Sequence, residues 1–352
     1  MTETTTKKRT EPRPYKPSWI DDFTQWVEKM SMRAWIFYLV FGIALILIQI
    51  LFLWLDGGLQ AQDILPVIIF NGFAVPFLLA LIHLLDNQAV TAVNAIRPIL
   101  DMSEDELDHY KYGLASMPFL QPLIVGVILM LMTILAPLVA IEPIRYAALE
   151  GRPLFGVVFH IIDKGSAFLM GVFLYHTVRQ LRLVSAIHLN RLRINLFHLG
   201  PLQAFSRLTA TTAVGIMAFV YLWMFINPEL LTDPVNLGLA ALFMIFAVSL
   251  FVWPLYGVHR LMLTEKEKTL HDLDERFEEV FSEFNQRFQE EDYVRVERLN
   301  GIISSLDIQY RRVESFPTWP WSSQTAQFML TAVALPLLLM IIGFIIEQAI
   351  GL

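Results

Sequence analysis

Residues 34–55 read AWIFYLVFGIALILIQILFLWL, with no charged side chain in the run. Wound as a helix rising 1.5 Å per residue, such a stretch covers the roughly 30 Å hydrocarbon core of a bilayer. Six further runs, near 64–85, 119–141, 154–177, 207–226, 236–257 and 325–348, reach a comparable length. Only closed hydrogen-bonded structures survive in hydrocarbon, and continuous apolar runs of this size select the helix. The expectation is an all-α polytopic membrane protein with seven transmembrane helices. Chain-wide composition agrees: of 352 residues, 55% are apolar and 17% charged, and mean hydropathy is +0.53. A soluble enzyme, a secreted disulfide scaffold and a disordered chain are excluded. The chain has no cysteine, which removes disulfides, thiolate metal sites and cysteine nucleophiles.

Charge orients the spans. With the N-terminus inside, the cytoplasmic stretches are 1–33, 86–118, 178–206 with Arg207 at its edge, and 258–324. They hold 23 of the 26 Lys and Arg residues, whereas the outer loops hold only Arg145 and Arg152. That asymmetry follows the positive-inside rule and places the N-terminus inside and the C-terminus outside. G-protein-coupled receptors and rhodopsins have the opposite orientation, and the last span lacks a lysine to hold retinal. The formal charge of −7 also divides by side. Asp56, Asp63, Glu142, Glu150, Glu229, Asp233 and Glu347 make the outer face net acidic.

The first apolar run starts near Ala34, too late and too long for a cleaved signal, and reads as a retained anchor. Before it, Ser18 precedes Trp19, Ile20, Phe23, Trp26, Val27 and Met30, spaced as one helical face. Asp21 follows three residues after Ser18, as in a capping box with Asp for Glu. Region 1–33 is therefore expected to be a cytoplasmic tail ending in an interfacial amphipathic helix. Residues 34–257 are read as a six-span bundle with cytoplasmic inserts 86–118 and 178–206. In the first insert, Ser103 and Glu106 form a second capping box. In the second, the helical pattern after 154–177 is expected to run on through Arg191 and Arg193 until Gly200-Pro201 ends it. In 258–324, Leu270, Leu273, Phe277, Phe281, Phe284 and Phe288 recur every three or four residues. Leu299, Ile302, Ile303, Leu306, Tyr310 and Val313 do likewise, which gives a cytoplasmic helical hairpin. Residues 325–352 hold the seventh span.

Candidate chemistry concentrates in the fourth span. His160, Asp163, Lys164 and Ser166 lie within two helical turns, with His160, Asp163 and Lys164 at spacings that share a sector. Ionisable groups at this depth face a partner, water or the bundle interior. They read as an ion pathway or as a polar lock to a neighbouring helix, with Asn71 of the second span a possible partner. Pro66, Asn71, Gly72 and Pro76 would allow that second span to kink or break. Pro254 and Pro336 are expected to kink the sixth and seventh. Glu347 and Gln348 stand at the outer end of the last span, a possible outer mouth. The usual enzyme signatures are missing, so no catalytic activity is expected. No cofactor or metal is expected either, since nothing fixes the mutual distance of the scattered histidines. Membrane lipids and further copies of the chain are the expected partners, and nucleic acid is not.

In helix number, orientation and the long connection between the sixth and seventh helices, this topology is similar to that of insect odorant receptors. No sequence motif of that family carries the likeness, which is one of architecture. It implies a homo-oligomeric cation channel with cytosolic anchoring helices and a pore-lining last helix. A secondary transporter, or a membrane-anchored sensor or scaffold using its cytosolic helices, are the alternatives.

Overall fold

The computed structural model describes residues 14–57, 65–100, 102–138, 151–190, 200–227 and 234–333. Among these the regular structure is helical: α1 (Trp19–Glu28), α2 (Ala34–Leu55), α3 (Leu65–Ile96), α4 (Glu104–Ala115), α5 (Leu120–Leu135), α6 (Pro153–Asn190), α7 (Gly200–Ile226), α8 (Pro234–Gln289) and α9 (Tyr293–Glu314). A tenth helix, α10, opens at 323 and is described to 333. Among the described residues, five helices contain stretches long and apolar enough to cross a membrane: Ala34–Leu55, Leu65–Ile96, Pro153–Ala186, Gln203–Ile226 and Gly238–Gln289. The third predicted span is represented by α5, apolar but only 16 residues long. Residues 139–150 after it, and all of the seventh span beyond 333, including Pro336, Glu347 and Gln348, lie outside the described residues.

Both capping boxes form. The Ser18 hydroxyl accepts the Asp21 N–H at 3.3 Å while the Asp21 carboxylate accepts the Ser18 N–H at 2.7 Å. Ser103 and Glu106 repeat the arrangement at the start of α4. Helix α1 buries Ile20 and Val27 and turns Trp19 and Trp26 outward.

Helix α3 is the hub, packed against α2, α6 and α7. It departs from the sequence reading in two ways. It is unbroken through Pro76, so of the kink or break that Pro66, Asn71, Gly72 and Pro76 would allow, the break is not made. It also continues past the polar Asp86-Asn87-Gln88 triplet to Ile96, where the expected span stopped near residue 85. The reason is periodicity: Leu85, Ala89, Ala92, Val93 and Ile96 stay on one face and are completely or almost completely buried. Gly200-Pro201 opens α7, because proline near a helix start forfeits only an N–H that has no intrahelical partner; whether the pair also ends the preceding helical run lies outside the described residues. Helix α6 is described to Asn190, and Arg191 and Arg193 lie outside the described residues.

Helices α5 and α6 approach through glycine. A methyl group on Gly171 would sit 2.6 Å from the Val125 carbonyl oxygen and 2.8 Å from the Gly126 Cα. One on Gly126 would meet the Phe168 ring at 2.6 Å. Small residues that let two backbones touch are the usual means of joining apolar helices.

Helix α8 is 56 residues long, about 84 Å at helical rise, and continues through Pro254. Its distal part pairs with α9 through Leu273, Leu306 and Val313, flanked by Leu270, Val280, Tyr310 and Phe316. Glu291, at φ 59°, makes the reversal, and Asp292 caps α9 by accepting the Arg295 N–H at 3.2 Å. The chain then returns to α8, where Trp319 stacks on His259 at 4.1 Å and on Trp321 at 4.3 Å.

Candidate functional site

The fourth-span residues lie on α6. The Lys164 ammonium contacts the Asp163 carboxylate at 2.9 Å and points at the Thr133 carbonyl oxygen of α5 at 3.4 Å. The Ser166 hydroxyl donates to the Asp163 carbonyl oxygen at 2.7 Å. The side chains of Lys164 and Asp163 keep 26% and 22% of their surface open, and His160 is exposed. The pair is therefore on the rim of the bundle, beside α5, with Lys164 near the middle of the predicted span. Asn71 does not join it. Its amide donates to Gln49 Oε1 of α2 and to the Phe159 carbonyl oxygen of α6, both at 3.1 Å. This is a separate clasp among α2, α3 and α6, with Gln49 and Asn71 both buried. At one end of the bundle, the Asp56 carboxylate accepts the Phe155 N–H at 2.8 Å, where an anion is favoured by the start of α6.

A larger polar assembly occupies the opposite end of the bundle, and the sequence reading did not anticipate it. Asp86 of α3 contacts His176 of α6, Oδ1 to Nε2, at 2.7 Å, with His176 fully buried. One turn back on α3, His83 bridges Tyr38 of α2 at 3.1 Å and Glu28 of α1 at 3.1 Å. The two ring nitrogens face different partners, Nδ1 the Tyr38 hydroxyl and Nε2 the Glu28 carboxylate. Asp21 is within electrostatic reach of His176. Its Oδ2 accepts the Met117 N–H at 3.0 Å, which pins the α4–α5 connection to α1.

Helix α6 holds the same connection from the other side. Arg179 donates through Nη1 to the carbonyl oxygens of Gly113 at 2.6 Å and Ser116 at 2.7 Å, and through Nη2 to the Tyr15 hydroxyl at 2.6 Å. The Gln180 amide donates to the Leu114 carbonyl oxygen at 3.1 Å. Tyr110 donates to the Leu183 carbonyl oxygen at 2.8 Å, and burial pushes its phenol well above the ordinary tyrosine range. The assembly thus joins five helices, α1, α2, α3, α4 and α6, through side chains that titrate. Among the described residues no group of three or more His, Asp and Glu is placed to hold a metal ion.

Burial pushes the Asp21 carboxyl above the ordinary aspartate value of 3.8, and the Met117 and Ser18 amides oppose this without cancelling it. The folded state therefore keeps a proton that the unfolded chain has already released. Relative stability is highest below the ordinary aspartate value and falls as pH rises through the raised folded-state value. Asp21→Asn keeps an acceptor for both amides and removes the charge. Its melting temperature relative to wild type should climb as pH rises across the weakly acidic range. An offset that stays constant with pH would contradict the burial account.

No family model, curated protein sequence or solved structure matches the chain.

Proposed function

We propose that the chain is a seven-span membrane protein, N-terminus inside and C-terminus outside, that assembles with its own copies into a channel-like oligomer conducting cations. The observation that carries this reading is the partly open Asp163–Lys164 pair, with His160 one turn away, on the rim of the α5–α6 seam. Ionisable groups at mid-span are costly against lipid and are kept where a partner or water meets them. The rim is thus the natural place for a neighbouring subunit and a wetted seam. The acidic outer face would draw cations toward such a path.

A second reading, a sensor or scaffold, is favoured by the far hairpin. Phe277, Phe281, Phe284 and Phe288 stack along α8 with centroids 5.9 to 6.3 Å apart. Three of the four rings are exposed: Phe277, Phe281 and Phe288. Such a stripe on the charged distal part of α8 marks a contact surface, and it serves subunit assembly and partner binding equally.

The test is single-channel recording and mass measurement on the purified protein in lipid. Wild type should be oligomeric and conduct. Lys164→Ala, which removes a positive charge, should raise cation-over-anion permeability by about five-fold, the weight of a charge contribution on the order of 1 kcal/mol. A monodisperse monomer in detergent and in lipid would overturn the proposal. Unchanged currents with a lowered melting temperature would make Lys164 only a lock onto the Thr133 carbonyl. An intact oligomer without currents would favour the sensor, and solute-coupled uptake without unitary currents a transporter.

A further inference from the structure

The α5–α6 seam opens, on the α6 C-terminal side of its glycine contact, into a groove of 660 Å³. Val125 of α5 and Leu174 and Val178 of α6 form one wall, and Leu183 and Ala186 close the far end. Tyr175, Arg179 and Arg182 complete the lining, so the groove carries two cations and no carboxylate. The carbonyl and hydroxyl partners of Arg179 fix its guanidinium without neutralising it. Arg182 is exposed, and among the described residues it makes no ion pair. Both arginines follow directly on the apolar run 154–177, at the level where headgroups begin if that run spans a bilayer. The order along the seam is apolar wall first and paired positive charge next, which is the order of an acyl chain and a phosphodiester.

We propose that this groove holds one anionic phospholipid, with its phosphate against Arg182 in the field of Arg179 and an acyl chain along Val125, Leu174 and Val178. Basic pockets between helices at the cytoplasmic headgroup level recognise anionic lipid by this chemistry. The inference rests on the membrane-embedded part of the reading above and is independent of conduction.

Native mass spectrometry of the full-length protein in detergent, titrated with phosphatidylglycerol or phosphatidylcholine, tests it. Wild type should retain one phosphatidylglycerol in preference to phosphatidylcholine. Arg182→Gln should weaken phosphatidylglycerol binding roughly five-fold, the weight of one basic residue at an anionic lipid surface, and leave phosphatidylcholine unchanged. Val178→Trp should fill the wall and displace the bound lipid. If it fails to fold, the exposed Arg182 decides alone. Arg276→Gln, on the hairpin, should behave as wild type. Equal retention of the two lipids, or undiminished phosphatidylglycerol binding by Arg182→Gln, would overturn the assignment. Inorganic phosphate should not displace the lipid, and displacement would make this a free-anion site and overturn it too. A protein that stays dispersed in buffer without detergent would instead bring down the membrane reading itself.

Discussion

Replacing Asp86 with alanine should cost about 3–5 kcal/mol of unfolding free energy, the usual penalty for stranding one member of a buried ionisable pair. Asp86 and His176 meet at 2.7 Å, with His176 at 0% side-chain exposure. The other ring nitrogen, Nδ1, is already buried without a partner among the described residues, so loss of Asp86 leaves the imidazole with neither contact met. Water cannot easily repair this, because Leu85, Ala89, Val172 and Phe173 beside the pair are almost wholly inaccessible. Asp86→Asn retains an oxygen that accepts from Nε2–H and should recover most of the loss. His176→Ala alone should also be costly, since it strands the carboxylate. The double variant should lose less than the two single losses added together, with a coupling of about 0.5–3 kcal/mol. Chemical denaturation in detergent or lipid measures each. Strict additivity would show that the pair does not act as a unit, and equal losses for Asn and Ala would assign the effect to volume.

The elements were legible where local spacing decides them. The uncharged run 34–55 set α2, the capping boxes at Ser18 and Ser103 set the starts of α1 and α4, and the interval between Leu270 and Phe288 set the far arm of α8. The polar assembly was not legible, because its partners are remote in sequence. Asp86 and His176 are 90 residues apart, and His83 is 45 residues from Tyr38 and 55 from Glu28. Nothing in a histidine at the end of an apolar run says which carboxylate it will meet. The one available signal was the i, i+3 spacing of His83 and Asp86, which puts both on one face of α3. The same asymmetry governs the fourth span. Spacing placed His160, Asp163 and Lys164 in one sector, whereas the direction of that sector depends on which face of α6 the larger apolar residues claim. Phe155, Phe159, Leu169 and Phe173 turn inward, which leaves the ionisable residues at the rim.

Gly171→Leu should release α5 from the bundle. The site is buried between two backbones, and the first side-chain carbon alone would lie 2.6 Å from the Val125 carbonyl oxygen and 3.0 Å from its carbon. These are main-chain atoms, so no side chain can rotate away, and the helices must part. Overpacking of a tight contact costs about 1–3 kcal/mol where neighbours can shift, and the cost here belongs at the upper end or beyond. Helix α5 has little else to hold it, since α6 is its principal neighbour and Ile124, Ile128, Leu131 and Leu135 face outward. The change should therefore appear as local detachment before global unfolding. Amide hydrogen exchange across 120–135 should accelerate strongly while exchange in α3 stays slow. Gly171→Ala should give the same pattern more weakly. Parting the seam also removes the Lys164 contact with Thr133 at 3.4 Å and separates Val125 from Leu174 in the lipid groove. One substitution would thus disturb the proposed ion path and the proposed lipid site together, while the Asp86–His176 pair stays intact. Uniform acceleration through α3, α6 and α7 would show instead that α5 is integral to the core, and it would remove the α5–α6 seam as a hinge for either role.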